Sequence, residues 1–536
     1  MVVSLPEMMM AAAESEPDRV VLREVSGLQL ANDDLVRLAD AWGAMLAAQG
    51  VGRGDPVATM LPNGAAGHLG WAGAAWIGAI EFPVNHAFPV DWIERIVRQA
   101  GVRVAVIATE FAGLWEPLLG SGALERLIVI SGLECAEVWT SGGVRETVPL
   151  DPTGAAPVRA DRYDVSCIVL TSGTTGPSKG VVIPWGQWEA RSVSPNIPLR
   201  HRTRESVFYC PLPVFHTGGR VYFYDVVRQR SVLVTRERFK TEDWLDDIRS
   251  EGCTGTILMG ATAAFVRNVP PREDDRDLPL QYALMAPVPR WVDEFKQRFG
   301  VTVYTSFSAS EYAYPIVSGD HFEVSAASAG SCGMPDPAYD VRLVSADGRD
   351  AGVDEEGELL VRSVPWANSL GYWRQPEQSA AAWRDGWFHT GDVLRRDAKG
   401  RFHFVDRVKD MIRRRAENIS SLEVETAALE HADVIAAAAY GVPSDYGEDE
   451  VMLAVELRPE ATADPDELHR NLSERLPRFA VPRYIDVVPV LPRNHTAKVL
   501  KRELKARGIT SSTWTCPDQR PAAMATATPD QNGEAQ

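Results

Sequence analysis

The sequence predicts an α/β protein with a large, layered N-terminal domain and a small α+β C-terminal domain. Amphipathic helical patterns alternate with short β-rich runs, which is the signature of a layered α/β architecture. The helices are predicted at 33–49 and 92–101, the strands at 55–61 and 102–108. The same alternation returns between residues 231 and 307, so one large domain with two related sheets is expected.

A more compact pattern begins near residue 408. Ser420 and Glu423 form a capping box ahead of one helix, and Asp464 and Glu467 open another. The end of the chain contains few large apolar residues, which is typical of disorder. We therefore predict an N-terminal domain over 1–406, a hinge over 407–409, a mobile C-terminal domain over 410–508 and a disordered tail over 509–536.

Charge and composition exclude several classes of protein. The chain has 55 basic and 73 acidic residues, a net charge of -18, which disfavours binding to nucleic acid or to an anionic membrane. The N-terminus has no basic segment followed by an apolar one, so a cytoplasmic protein is expected, as a monomer or homodimer. The six cysteines show no zinc or disulfide spacing.

The stretch TSGTTGPSKG at 171–180 has the composition of a polyphosphate-binding loop. Its glycines allow backbone N–H groups to turn toward an anion, its hydroxyls add donors, and Lys179 adds positive charge. It is not a Walker A sequence, because Pro177 and Ser178 separate Lys179 from Gly176. Apolar runs flank it on both sides, so we predict a loop that joins two strands.

This loop resembles the phosphate-binding signature of the class I adenylate-forming superfamily, which includes acyl-CoA synthetases, nonribosomal adenylation domains and luciferases. Six further stretches follow in the order typical of that family. They are PLPVFHTGG (211–219), YTSFSASE (304–311), GEL (357–359), GWFHTGD (386–392), DRVKDMI (406–412) and RNHTAKVLKREL (493–504). Their forms look most like those of crotonobetaine/carnitine CoA ligases and similar acyl-CoA ligases.

The resemblance implies a role for each matching residue. Phe307 would stack on adenine, Asp392 and Arg407 would bind the ribose, and Glu311 would bind Mg²⁺. Lys498 would be the catalytic lysine at the α-phosphate, Lys409 the hinge, and His216 a catalytic residue beside the acyl pocket. The complete ATP site implied is Thr171, Ser172, Gly173, Thr174, Thr175, Gly176, Lys179, Phe307, Ser310, Asp392 and Arg407.

The activity that the resemblance implies has two steps. An acid oxygen attacks the α-phosphate of ATP and pyrophosphate leaves, so charge on the transition state must be stabilised by lysine and Mg²⁺. Rotation about Lys409 then brings the segment 413–420 to the site, and coenzyme A accepts the acyl group. ATP, Mg²⁺ and CoA are the cofactors and co-substrates expected.

The chain departs from the family pattern around the substrate. Leu284 and Met285 replace a usual glycine pair, so their side chains are expected to fill space in the acyl pocket. Ser308, Ala416 and Ala497 replace other glycines. The predicted substrate-pocket residues are Phe215, Arg220, Met285 and Tyr312. This lining favours a small or aromatic acid, and Arg220 either meets a second carboxylate or faces solvent.

Several alternatives stay open at this level. An ATP-dependent diazotase would activate nitrite as a nitrosyl adenylate for attack by an aryl amine, and the altered glycines suit that use. Loading of a carrier protein and amide ligation are further options. A non-catalytic nucleotide-binding homologue predicts loss of the catalytic lysine or the metal carboxylate, yet Lys498, Lys179 and Glu311 are present. A P-loop ATPase is disfavoured by the missing G-K-[ST].

Overall fold

The computed structural model describes residues 3–171, 179–408, 410–414, 417–443, 449–461, 463–493 and 499–516. The chain divides into two compact units. The first contains residues up to Thr390 and Leu394–Phe404, and the second contains Gly391–Val393 and the residues from Val405 on. In the described parts of the chain, no helix is long and apolar enough to cross a membrane.

Most of the helices belong to the first unit. They are α1 (Leu5–Ser15), α2 (Asn32–Ala48), α3 (Ala65–Trp76), α4 (Val90–Ala100), α5 (Ala112–Gly120), α6 (Trp185–Val193), α7 (Thr217–Gln229), α8 (Trp244–Ser250), α9 (Gly260–Asn268), α10 (Val292–Phe299) and α11 (Pro376–Ala382). The second unit contains α12 (Ser421–Leu429), α13 (Pro465–Arg475) and α14 (Lys501–Arg507). The first two sequence-predicted helices correspond to α2 and α4.

The strands are short, and most of them have six residues or fewer. They begin with β1 (Val20–Glu24), β2 (Gln29–Ala31), β3 (Pro56–Met60), β4 (Ile80–Pro83), β5 (Val104–Ala108), β6 (Arg126–Ile130), β7 (Cys135–Thr140), β8 (Arg145–Pro149), β9 (Val165–Leu170) and β10 (Gly180–Pro184). There follow β11 (Val207–Cys210), β12 (Val232–Thr235), β13 (Gly255–Met259), β14 (Tyr282–Ala286), β15 (Thr302–Tyr304), β16 (Ser306–Phe307), β17 (Ile316–Val317), β18 (Ser331–Pro335), β19 (Asp340–Val344) and β20 (Glu356–Arg362). The last are β21 (Trp383–Arg384), β22 (Trp387–Arg396), β23 (Phe402–Arg407), β24 (Ile412–Arg414), β25 (Glu417–Ile419), β26 (Val434–Pro443), β27 (Asp449–Leu457), β28 (Tyr484–Val487) and β29 (Trp514–Thr515).

Two large sheets form the layered part of the first unit. One has the order β15-β14-β13-β11-β12-β1-β2 and is parallel except at β2. The other has the order β10-β9-β4-β3-β5-β6-β7-β8, with a parallel centre and antiparallel edges. These sheets confirm the predicted α/β class.

One hydrophobic core joins the facing sides of the two sheets through α1, α2, α3, α6 and α7. Helix α3 is apolar except for His68, and all of its residues except the partly buried Ala66 are buried, as expected for a helix enclosed by other layers. Its Gly73 lies so close to α2 that an added Cβ would come within 2.6 Å of the Trp42 Cβ. Helices α4 and α5 cover the outer face of one sheet, and α8, α9 and α10 cover the outer face of the other.

A third sheet has the order β16-β17-β18-β23-β22-β20-β19, with β21 beside β22. The second unit contains the hairpin β24-β25 and a four-stranded sheet in the order β26-β27-β28-β29. The predicted helix caps are present there, because Ser420 Oγ accepts a hydrogen bond from the Glu423 N–H and Asp464 accepts one from the Glu467 N–H.

The first part of the expected disordered tail is ordered, which corrects that prediction for residues 509–516. Strand β29 pairs antiparallel with β28, with Trp514 opposite Ile485. The Trp514 ring lies 5.0 Å from that of His469, and Cys516 is buried. The few apolar side chains of this segment therefore pack against the second unit. Residues 517–536 lie outside the described residues.

Candidate active site

The phosphate-binding loop leaves one strand and enters the next. Strands β9 and β10 pair antiparallel, and the Thr171 N–H donates to the Lys179 carbonyl over 2.9 Å just beyond their paired ends. The prediction that this loop joins two strands is confirmed. The predicted ATP-binding residues within it lie outside the described residues, namely Ser172, Gly173, Thr174, Thr175 and Gly176.

The segment 368–373 runs alongside β10, the strand that follows the phosphate loop in the chain. The Val182 N–H donates to the Gly371 carbonyl over 3.0 Å, and the Trp373 N–H donates to the Gly180 carbonyl over 2.7 Å. Two backbone bonds so close together fix the register of this segment against the strand that leaves the phosphate loop.

The same segment also holds the predicted metal carboxylate. The Ser369 N–H donates to the Glu311 carbonyl over 2.8 Å. The Tyr372 hydroxyl donates to Glu311 Oε1 over 3.0 Å, and Lys179 Nζ lies 4.4 Å from the centre of the Tyr372 ring. Lys179 and Glu311 come from distant motifs, and Tyr372 contacts both.

Helix α6 fixes the loop predicted to bind adenine. Gln187 Nε2 donates to the Ser310 carbonyl over 2.9 Å. The Arg191 guanidinium donates to the carbonyls of Ala309 (2.5 Å) and Tyr312 (2.8 Å). Gln187 and Arg191 are buried, so three carbonyls of the loop are satisfied from the protein interior. These bonds hold the loop in one conformation before any nucleotide binds.

Phe307, the predicted adenine-stacking residue, is half-buried in β16. Its ring centre lies 6.2 Å from that of Tyr312 and 6.4 Å from that of Phe404. Tyr312 is 1% exposed and packs in the core of the third sheet, 5.5 Å from the Phe388 ring. This corrects the prediction that Tyr312 lines the substrate pocket, because its side chain supports Phe307 from the core.

The two predicted ribose residues are neighbours within the second unit. Arg407 Nε lies 3.0 Å from Asp392 Oδ1, and the Asp392 side chain is 8% exposed. The Val408 N–H donates to the Gly391 carbonyl over 3.0 Å, which joins the two segments next to this pair. An arginine beside a buried carboxylate fixes the orientation of that carboxylate for hydrogen bonding.

His216 and Phe215 lie at the start of α7. His216 precedes the first residue of the helix in an extended conformation, and its ring is 4.7 Å from that of Phe215. Phe215 also contacts His86, at 5.2 Å between ring centres. Burial is the largest influence on His86 and lowers its pKa. The predicted pair therefore forms part of a half-buried aromatic group.

Arg220 lies one turn along α7 and is buried in the core between the two large sheets. Its side chain is 1% exposed and lies 2.6 Å from the carboxylate of Glu81, which is fully buried. Glu81 also accepts a hydrogen bond from the Thr59 hydroxyl over 2.7 Å. Arg220 therefore neither faces solvent nor offers an uncompensated charge to a second substrate carboxylate, and both parts of its prediction are corrected.

His68 beside this ion pair should make stability depend on pH. Burial, and next the charge of Arg220, lower the pKa of His68 to about 3. Unfolded His68 binds a proton at higher pH than folded His68, so stability falls as the pH drops below about 6.5, by up to about 1.4 kcal/mol per pH unit. We expect His68→Phe to remove this slope in urea unfolding between pH 4 and 6, because phenylalanine has no titrating group. Its ring can keep the stack on Phe223, so the packing is retained. Replacing the exposed His321 should leave the slope intact.

Met285 and Leu284 are adjacent in β14 and face opposite sides of the sheet. Met285 is 1% exposed and packs in the core beneath α8, α9 and α10. This corrects its assignment to the substrate pocket. Leu284 instead packs in the core shared with α7, where Phe208 and Tyr222 stack at 4.1 Å. The strand alternation thus makes Leu284 the residue that fills space near α7.

The predicted catalytic lysine, the predicted hinge and the predicted metal site are not fully described by the structure. Lys498 and Lys409 lie outside the described residues. The described chain holds no cluster of three or more His, Cys, Asp or Glu side chains that could bind a metal alone. A single carboxylate such as Glu311 suits Mg²⁺, which usually takes one or two protein carboxylates and completes its shell with phosphate and water.

Sequence reasoning missed three residues of this site. Tyr372 lies in a Gly-Tyr-Trp run, and Gly371 in that run has a φ of 104°. The signal in the sequence is the glycine, because glycine readily adopts a positive φ. Gln187 and Arg191 are polar residues among the buried tryptophans of α6. Such placement indicates a specific hydrogen-bonding task.

The fold and these motifs together define a nucleotide-binding, acid-activating enzyme, and the chain belongs to the AMP-binding enzyme family. The model of that family matches residues 9–373, and the model of the AMP-binding enzyme C-terminal domain matches residues 423–498. The solved structure of ATP-bound MatB from Rhodopseudomonas palustris has a TM-score of 0.82 at 21% identity, covering 95% of this chain and 99% of that one. MenE from Bacillus subtilis with AMP has a TM-score of 0.80 at 22% identity, covering 93% and 98%.

Three curated CoA ligases and synthases match nearly the whole chain. Feruloyl-CoA synthase of Amycolatopsis sp is 30% identical, over 92% of this chain and 97% of that protein. The 2-succinylbenzoate–CoA ligase of Geobacillus kaustophilus is 29% identical, over 88% and 92%. Crotonobetaine/carnitine–CoA ligase of Citrobacter koseri is 28% identical, over 91% and 95%. The predicted superfamily is confirmed, and these relatives give the diazotase alternative no support.

Proposed function

We propose that the protein converts a small or aromatic acid to its acyl-AMP with release of pyrophosphate, and then transfers the acyl group to CoA. The observation that carries this proposal is that Lys179 and Glu311 both contact Tyr372. Lys179 is a cation suited to phosphate and Glu311 is a carboxylate suited to a metal ion, and the two come from distant motifs. Membership of the AMP-binding family and the CoA-ligase relatives support the nucleotide and the acceptor.

Each residue of the site would contribute a separate part of the chemistry. Lys179, with the phosphate loop, would hold the β- and γ-phosphates, and Lys498 would stabilise charge at the α-phosphate. Phe307 would stack on adenine, and Asp392 with Arg407 would bind the ribose hydroxyls. Mg²⁺, when bound at Glu311, would neutralise the leaving pyrophosphate. A MenE structure from B. subtilis with ATP and magnesium ion supports this choice of metal.

The filled face beneath α7 supports a small substrate. Leu284 and Tyr222 are each 3% exposed, and Tyr222 stacks on Phe208. Close-packed side chains leave little volume for a long acyl chain. In such a core, even one added methylene group costs free energy. His216 and Phe215, at the head of the same helix, present aromatic surface that suits a short or ring-bearing acid.

The function is tested by supplying Mg-ATP with acetate, butanoate, octanoate, hexadecanoate or benzoate, each with and without CoA. We expect AMP and pyrophosphate release with the short or aromatic acids, rising when CoA is added and yielding the thioester. Turnover confined to hexadecanoate would contradict the substrate class, and acid-dependent turnover that ignores CoA would contradict the acceptor.

Leu284 should limit the length of acid that the enzyme accepts. Leu284→Ala removes volume on the α7 side of β14, so the ratio of kcat/KM for octanoate to that for butanoate should rise about 10-fold or more, the usual effect of a methylene-sized pocket change. The matched control is Met285→Ala, which creates a similar cavity on the opposite side of the same strand. An equal shift in both variants, or in neither, would contradict the pocket assignment.

A further inference from the structure

We propose that Tyr372 is a positioning residue for the triphosphate and metal site, where its hydroxyl orients the Glu311 carboxylate and its ring holds the Lys179 ammonium. This inference rests on the proposed function, since it concerns the same ATP site. It adds a residue that comes from neither the phosphate loop nor the adenine loop, yet contacts the charged group of each.

The backbone around Tyr372 is fixed on both sides. Tyr372 forms a β-bridge with Val181, and its N–H donates to Ser379 Oγ over 2.9 Å. Ser379 in turn donates to the Gln375 carbonyl over 2.8 Å. Gly371 permits the turn into this position, because its φ is 104° and an added Cβ would come within 2.8 Å of Ser379 Oγ. The ring therefore emerges in one defined direction.

The side chain is also held. Tyr372 is 8% exposed, and its ring packs edge-on against Trp383 at 6.1 Å between centres. A buried phenol that has found a hydrogen-bond partner has little freedom to leave that partner. Its hydroxyl bond to Glu311 Oε1 therefore restricts the rotation of the carboxylate before any metal is bound.

The two contacts act on opposite charges. Loss of a hydrogen bond to a metal-ligating carboxylate typically lowers metal affinity or activity about 10- to 100-fold. The face of an aromatic ring attracts an ammonium group and fixes its position. Tyr372 thus gives Glu311 and Lys179 each a partner, so that the carboxylate is directed to the metal and the ammonium to phosphate.

Two variants separate the hydroxyl from the ring. Tyr372→Phe keeps the ring beside Lys179 and removes the bond to Glu311, whereas Tyr372→Leu removes both. The matched control is Tyr209→Phe, because the buried Tyr209 hydroxyl donates to Asp247 over 2.9 Å in a different core. Tyr209→Phe therefore loses a similar tyrosine–carboxylate bond away from the site.

The readout is ATP affinity by calorimetry on the full chain without acid, in EDTA and across a Mg²⁺ titration. For Tyr372→Phe we expect unchanged ATP affinity in EDTA and a half-saturating Mg²⁺ concentration raised about 10-fold or more. For Tyr372→Leu we expect, in addition, ATP affinity in EDTA weakened about 3-fold or more. Tyr209→Phe should match the parent protein in both measurements.

A Mg²⁺ titration of Tyr372→Phe identical to that of the parent protein would overturn the positioning role. An equal shift in Tyr209→Phe would overturn it too, since the effect would then be one of general stability. This test needs no acid, so it separates the two proposals. Magnesium-dependent ATP binding with no acid-dependent pyrophosphate release would contradict the proposed function while leaving the role of Tyr372 measurable.

Discussion

Replacing Arg220 by methionine is expected to lower the free energy of unfolding by about 3 to 5 kcal/mol, because it leaves the Glu81 carboxylate buried without its counter-ion. Both side chains are almost completely inaccessible to solvent. Burial is the largest influence on Glu81 and raises its pKa, while the Arg220 charge opposes that rise. The loss should appear as a lower midpoint in urea unfolding followed by tryptophan fluorescence.

A double variant separates the charge from the packing. Glu81→Leu combined with Arg220→Met removes both charges, and such apolar replacements are often neutral or stabilising. It should therefore recover most of the stability lost in Arg220→Met alone. Arg98→Met, which breaks an exposed pair with Glu94 in α4, should change unfolding only slightly. A double variant less stable than the single one would contradict the assignment of the loss to an unpaired Glu81.

Replacing Lys498 by alanine is expected to reduce acid-dependent pyrophosphate release about 100- to 1,000-fold, the usual cost of removing a group that stabilises transition-state charge. ATP binding should change little, because in the proposed function other residues than Lys498 would make the nucleotide contacts. The two quantities are measured by pyrophosphate release under saturating acid and by calorimetry with ATP.

Lys505→Ala is the control for this substitution, since it removes the same charge from an exposed position on α14. It should leave both quantities unchanged. Undiminished pyrophosphate release in Lys498→Ala would contradict the catalytic role of that lysine. A parallel loss of ATP binding would place Lys498 among the binding residues instead.

The sequence predicts those features that depend on local pattern. The alternating helices and strands, the loop between β9 and β10, and the caps at Ser420 and Asp464 follow from periodicity and from short-range hydrogen bonding. Each can be read within a window of about twenty residues, because the interactions that produce it are local in the chain.

The sequence does not predict contacts that only the tertiary fold creates. Glu81 and Arg220 are 139 positions apart, so the sequence around Arg220 does not indicate which residue it pairs with. Leu284 and Met285 are adjacent in a strand, so they must face opposite sides of it. Which of the two residues faces α7 depends on how β14 lies in its sheet. Tyr372 likewise contacts Glu311 and Lys179 only because segment 368–373 pairs with β10.

The most direct test of the central claim is the chemical identity of the first product. The enzyme is mixed with Mg-ATP and the acid that gave the highest turnover, without CoA, and the quenched reaction is analysed by mass spectrometry. We predict one acyl-AMP per enzyme together with pyrophosphate, and its conversion to acyl-CoA and AMP when CoA is added. ADP and phosphate as products, or AMP formed equally without acid, would contradict the account.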